Sequence, residues 1–225
     1  MKTINLILIF LVMTCSTFGQ VAVIKDKDGY SNVRKEANGE SEVIYKILEN
    51  EVFWFDYEVG YFENEWVEVF IPKNKFSLSS SDPDYISGFV HKSRILPIDK
   101  LQKLTTENFK FKYELSSFDS TGKIIDKQDN KWITQINGRP VWGTDGNFPR
   151  LQVDNIKVSI DNNEIFIHPV FYCDIYECDG GYKIYKNGDT FLVYQMNSDG
   201  AGAYQIVWVF NKENGLIQRL VGTMI

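Results

Sequence analysis

The chain has 225 residues and a formal net charge of −6, from 24 Lys and Arg against 30 Asp and Glu. An acidic chain without a basic stripe repels a phosphate backbone and has no counterions to release from it, so nucleic acid is excluded as an expected partner. Aromatic residues make up 15 % of the sequence, with five Trp and twelve Tyr, which fits short strands that bury large rings.

The first element is an export signal. Met1-Lys2-Thr3 gives a positive start, residues 4–13 are apolar apart from Asn5, and small or polar residues follow at 14–17. The apolar run is well short of the roughly 20 residues needed to span a bilayer as a helix. Thr17-Phe18-Gly19 has small residues where a signal peptidase reads, predicting a signal over 1–19 and Gln20 as the new N-terminus. The competing reading is a lipobox at Val12-Met13-Thr14-Cys15, with a lipid on Cys15 as the one route to a membrane; Thr14 fits poorly before that cysteine. Cleavage after Gly19 removes Lys2 and no acid, shifting the charge from −6 to −7. The expected location is the periplasm or the outside of the cell.

Beyond the signal, apolar residues alternate and turn residues recur every eight to twelve positions, predicting an all-β chain. The clearest strands cover 51–55, 66–70, 155–160, 190–194, 204–210 and 216–221. Asn162-Asn163 and Asn187-Gly188-Asp189 supply residues that tolerate positive φ and read as hairpin turns. Residues 76–84, with four serines and Pro83, read as a long surface loop. A boundary is expected near Pro97, with a linker over 99–106 that takes the form of an extended tether or a single helical turn. This divides the chain into a first β module at 20–98 and a second at 107–225, the latter a β-sandwich or open β-barrel.

In the first module, Gly29 and Asn32-Val33-Arg34 are followed by Val43-Ile44-Tyr45-Lys46-Ile47-Leu48-Glu49-Asn50-Glu51 and by Val52-Phe53-Trp54-Phe55. Trp66-Val67-Glu68-Val69 and Gly88-Phe89-Val90-His91 complete the series. On these motifs residues 21–98 resemble the bacterial SH3 (SH3b) family, with its opening N-V-R strand, central W-x-x-V strand and closing G-W-V element. The alternation agrees, with Val33, Ile44, Ile47, Val52, Trp66, Val69 and Val90 lining a small closed barrel. The departures are Lys35-Glu36-Ala37-Asn38-Gly39 after N-V-R, Phe89 in place of the last Trp, and a longer loop before Gly88. Those loops border the groove where relatives hold cell-wall peptides, so the fold carries over more safely than the ligand.

The second module matches no family at the level of motifs. Trp142-Gly143-Thr144-Asp145-Gly146-Asn147-Phe148-Pro149 and Asp199-Gly200-Ala201-Gly202-Ala203 read as tight turns capping the sheets, with a binding loop as the alternative. Asp145 and Asp199 are candidate cation ligands, but neither segment has the spacing of a calcium loop, and no metal or cofactor is expected. Cys173 and Cys178 are the cysteines left after the signal, and an oxidising envelope favours a disulfide between them. Residues five apart on a straight strand point to opposite faces, so the bridge requires a turn between them.

The chemistry-bearing residues are few. The histidines are His91 and His168. Cys173 or Cys178 with His168 is the sharpest enzymatic idea, a thiol hydrolase of the kind found beside SH3b modules, although here the histidine lies upstream and no helix carries the cysteine. No H-E-x-x-H, G-x-S-x-G or phosphate-cradling glycine loop occurs. Trp54, Trp66, Trp132 and Trp208 read as core. Tyr57, Tyr61, Phe62 and Tyr85 fall in loops of the first module, where an exposed ring needs a reason. The expected function is non-enzymatic recognition of a cell-wall (peptidoglycan) peptide or another envelope protein, with those four rings giving contact area and Arg34 and His91 polar orientation. The alternatives are a cell-wall hydrolase sited in the second module and an inhibitor or immunity-type protein acting through its loops.

Overall fold

A computed structural model describes residues 20–57, 59–78, 85–104, 108–178, 181–198 and 202–222. The signal, both expected processing sites and Asp199 lie outside the described residues. The described chain is all-β, with a single α-helix of five residues among antiparallel strands.

The first sheet is built from β1 (Gln20–Ile24), β2 (Tyr30–Arg34), β3 (Val43–Leu48), β4 (Phe53–Phe55), β5 (Trp66–Pro72), β6 (Tyr85–His91) and β7 (Ile95–Pro97), with helix α1 (Val59–Glu63) between β4 and β5. Its order is β3-β2-β6-β5-β4-β1-β7. Ala22, Val33, Ile47, Phe53, Phe55, Val67, Val69, Val90 and Ile95 form one buried cluster drawn from all seven strands, so the sheet wraps around its own core. The expected closed barrel is not completed, because the end strands β3 and β7 pair only with β2 and β1. Three expected lining residues also fall outside this cluster, and one of them, Val52, is buried instead in the contact with the five-stranded sheet. Ile44 sits on the edge strand β3 at 37 % exposure, and Trp66 is half-buried on the opposite face of β5. Gly88 is required where β6 crosses β2, since a Cβ there would stand 2.7 Å from Arg34 O and Val33 Cγ1.

The second module begins inside the expected linker, where a 3-10 turn at Ile98–Lys100 leads into β8 (Gln102–Lys103). There follow β9 (Phe109–Ser117), β10 (Ile125–Gln128), β11 (Trp132–Ile136), β12 (Arg139–Pro140), β13 (Leu151–Ile160) and β14 (Asn163–Ile165). The chain continues with β15 (Lys183–Asn187), β16 (Thr190–Asn197), β17 (Tyr204–Asn211) and β18 (Gly215–Gly222). They form three sheets: β18-β17-β16-β15-β8, β14-β13-β9 and a small β10-β11-β12. The predicted hairpins are present. Ile160 pairs with Asn163 across Asp161 and Asn162, both at positive φ, and Asn187 pairs with Thr190 across Gly188 and Asp189.

The five-stranded sheet is covered on both faces. Leu192, Val207, Val209 and Leu220 pack against Val21, Val23, Trp54 and Tyr85 of the first sheet. On the other side, Phe191, Val193, Ile206, Trp208 and Phe210 pack against Phe109, Phe111, Ile156, Val158 and Ile175. This double covering explains why residues 204–210 are nearly all apolar, where a half-buried strand would alternate. Residues 74–78 do not behave as a free surface loop. Phe76 packs 5.0 Å from Phe171, and Ser77 Oγ donates to Arg219 O at 3.1 Å.

A buried amide joins the two modules. Gln218 Nε2 donates to Val52 O and Val52 N–H donates to Gln218 Oε1, both at 2.8 Å, with Gln218 only 1 % exposed. Gln218→Ala orphans both backbone groups, at roughly 1–3 kcal/mol each. Urea unfolding is expected to show a loss of about 2–6 kcal/mol with the transition still a single step.

Candidate functional site

Three of the four predicted contact rings come together at one end of the first sheet. Tyr57 follows β4, and α1 then presents Tyr61 and Phe62 at successive positions, about 100° apart around the helix. Tyr61 therefore turns inward, 5.4 Å from Phe55, and stacks on Tyr57 at 5.8 Å. Phe62 turns outward at 63 % exposure while its edge still meets Tyr57 at 5.1 Å and Tyr61 at 5.7 Å. The two partly buried rings brace the exposed one.

The remaining predicted residues are placed elsewhere. Tyr85 is half-buried in the contact between the first sheet and the five-stranded sheet, and that burial raises its hydroxyl pKa above the usual tyrosine value. Arg34 donates to Ser41 O at 2.6 Å and pins the 35–42 loop. His91 caps the 3-10 turn Lys92–Arg94, with Nδ1 2.8 Å from Ser93 Oγ, and lies edge-on to Trp66 at 5.5 Å. Arg34 and His91 sit on neighbouring strands near Trp66, where the 35–42 loop also approaches: a Cβ on Gly39 would be 3.9 Å from that ring.

The expected disulfide is not formed; Cys173 and Cys178 are both free thiols, one exposed and one buried. The segment between them is pulled in two directions by its acids. Asp174, 4 % exposed, pairs with Arg219 at 2.8 Å and Arg139 at 3.2 Å. Glu177 turns the other way and accepts from the backbone N–H groups of Arg150 and Leu151 and from the Arg150 guanidinium. Cys178 Sγ is thereby delivered into the core, 3.4 Å from Tyr204 Oη and 3.3 Å from Asn197 Nδ2. Cys173 Sγ stays outside, 3.8 Å from Arg139 Nη1 and 4.0 Å from Val170 O. His168 is exposed and its Nδ1 accepts from Val170 N–H at 3.2 Å.

The two glycine-rich turns of the second module meet each other. Gly143 N–H donates to Gly202 O at 3.0 Å and Trp142 stacks on Tyr204 at 6.4 Å. Among the described residues no group of three or more His, Cys, Asp or Glu is assembled that could hold a metal ion. An open groove of about 610 Å³ runs along the outer face of β14-β13-β9, between Lys110, Lys157 and Phe166. Lys157, which lines it, pairs with Glu114 at 2.5 Å, and the contact lowers the Glu114 pKa and raises that of Lys157.

Trp132 departs from the sequence expectation: it is 42 % exposed on the small sheet rather than core. The signal is present in the alternation of β11, where Trp132 and Thr134 share the exposed side and Ile133 points inward. No family model, curated protein or solved structure matches the chain.

Under non-reducing conditions Cys173 is expected to react with iodoacetamide in the native protein and Cys178 only after denaturation, read by peptide mass spectrometry. For Glu177, burial pushes the carboxyl pKa up, but the Arg150 and Leu151 hydrogen bonds outweigh it and hold it below the ordinary 4.5. A depressed folded pKa contributes stability above the unfolded value, which is lost as pH falls through the folded one. Urea midpoints are therefore expected to drop on acidification below about 4.5, and to drop less in Glu177→Gln.

Proposed function

We propose that this protein is an exported, non-enzymatic recognition protein of the bacterial envelope, in which the SH3b-like first module contacts a cell-wall peptide or another envelope protein. The observation that carries this reading is the Tyr57–Tyr61–Phe62 patch, in which two partly buried rings brace a third that is 63 % exposed. A large apolar side chain kept in water by a rigid support is contact area available to a partner. Arg34 and His91 make local hydrogen bonds that shape the loop and strand end around Trp66, so their part is to hold that surface.

A second reading, a hydrolase sited in the second module, is favoured by one observation: Cys173 is free and exposed, beside the Arg139 guanidinium. Against it, the contacts of that sulfur are Arg139 and Val170 O, and His168 Nδ1 is engaged by Val170 N–H. Recognition is the stronger reading.

Co-sedimentation with purified sacculi tests it, alongside affinity capture from an envelope extract. The expected result is retention of the protein on one of the two, and about a tenfold or greater loss in Phe62→Ser with an unchanged melting temperature. Protein left in the supernatant of both would remove the proposal. Loss of a sacculus-digesting activity on alkylation of Cys173 would replace it with the hydrolase.

A further inference from the structure

The groove on the outer face of β14-β13-β9 is a second candidate surface, on a different sheet from α1. Its floor follows from the register. Lys157 stands directly opposite Lys112 on β9, and Ser159 stands between Lys110 on one side and Glu164 on the other. Like charges directly opposite each other on a sheet are unfavourable. Glu114 relieves part of this, held by Lys157 at 2.5 Å and by Asn155 Nδ2 at 2.9 Å. Lys110 and Lys112 are exposed, line the groove and form no ion pair among the described residues. The fold thus gathers lysines in one place and leaves two of them without an anion.

The opposite wall is apolar. After β14 the chain leaves β13: Ile167 turns into the core, and Phe166 turns out at 82 % exposure, the most exposed large apolar side chain among the described residues. Where the chain leaves, β13 loses its neighbour. β14 pairs with it only at Val158, Ser159 and Ile160, and the next pairing on that edge is the single bridge Gln152–Tyr176. Among the described residues, positions 155–157 therefore have β9 on one side and no strand on the other. Together these features select the occupant. The lysines call for an anion, Phe166 for an apolar side chain, and the open edge for an extended backbone; an acidic peptide supplies all of them. A bilayer is flat and brings no strand, and a uniform polyanion meets Glu114 and Glu164 on the same face. The volume of about 610 Å³ lies in the range of ligand sites.

We propose that this groove receives an extended acidic segment of a partner protein, which adds as a short strand beside residues 155–157, sets carboxylates against Lys112 and Lys157, and covers Phe166 with an apolar side chain. The test is fluorescence anisotropy of the purified protein with a labelled octapeptide of alternating Glu and Val, its Lys–Val counterpart, and the Glu–Val peptide with every backbone amide N-methylated. Saturable binding of the unmethylated Glu–Val peptide alone is expected. It weakens about tenfold or more in Lys112→Glu and in Phe166→Ser, and is unchanged in Lys46→Glu, which alters an exposed lysine of the first sheet. Both groove substitutions are at exposed positions, and circular dichroism checks that each variant folds; the N-methylated peptide tests the strand pairing on the unaltered protein. Failure of the Glu–Val peptide to bind, equal binding of either control peptide, or binding that survives either groove substitution in a folded variant overturns the proposal. Inorganic polyphosphate that binds as tightly, or Phe166-dependent capture on phosphatidylglycerol vesicles, also overturns it, reassigning the surface to a polyanion or a membrane.

Discussion

The central strands β16 and β17 of the middle sheet have almost no face in water, and this constraint organises much of what surrounds them. With β16 and β17 covered on one side by the first sheet and on the other by β9 and β13, a polar group placed there loses water and gains from a partner inside the protein. Gln218 meets the requirement by imitating a backbone strand, donating to and accepting from Val52. Arg219, fully buried, meets it with the Asp174 carboxylate and by lying over the Trp208 ring. Replacing a buried charged pair by apolar groups is often harmless, whereas removing one partner is costly, so the loss of Asp174 alone would leave the Arg219 charge buried and poorly compensated.

The same constraint separates the surfaces available for contact from the parts that hold the fold. The first sheet commits one face to its own core and much of the other to the middle sheet, leaving α1 at its rim as the place where a ring can face water. In the second module, the small sheet packs Ile133, Ile136 and part of Ile125 inward and leaves Trp132 outside. Asp174 and Glu177 contribute in a different way. By anchoring to opposite neighbours they set the two thiols in different environments, one solvent-facing and one next to Tyr204.

Much of the architecture is legible in the sequence because it follows from period and turn chemistry. Strands β4, β5, β13, β16, β17 and β18 fall where alternation or apolar runs place them, and both asparagine-rich hairpins form. Barrel closure is not legible, since whether β3 meets β7 depends on sheet curvature and not on any local pattern. Tyr85 looks like a loop ring because its burial comes from strands far later in the chain. The cysteine pairing fails for a related reason: spacing cannot reveal that the acids between the thiols are tethered apart. Of the candidate site, the rings at 57, 61 and 62 are visible as aromatic residues between strands, but their mutual bracing needs the turn of α1. The exposed side of β11 is written in its alternation, which is a better guide to Trp132 than residue type.

The Gln218–Val52 link spans 166 positions of sequence. Contacts of such long range must pay their loop-closure entropy before they return any stability, which makes assembly of the layered stack slow. Trp54, Val21 and Val23 are covered by Leu192, Val207 and Val209 of β16 and β17 together with Leu220 of β18, so this apolar surface depends on the C-terminal strands for its cover. The C-terminal strands thus double as a cover over a surface that would otherwise favour self-association.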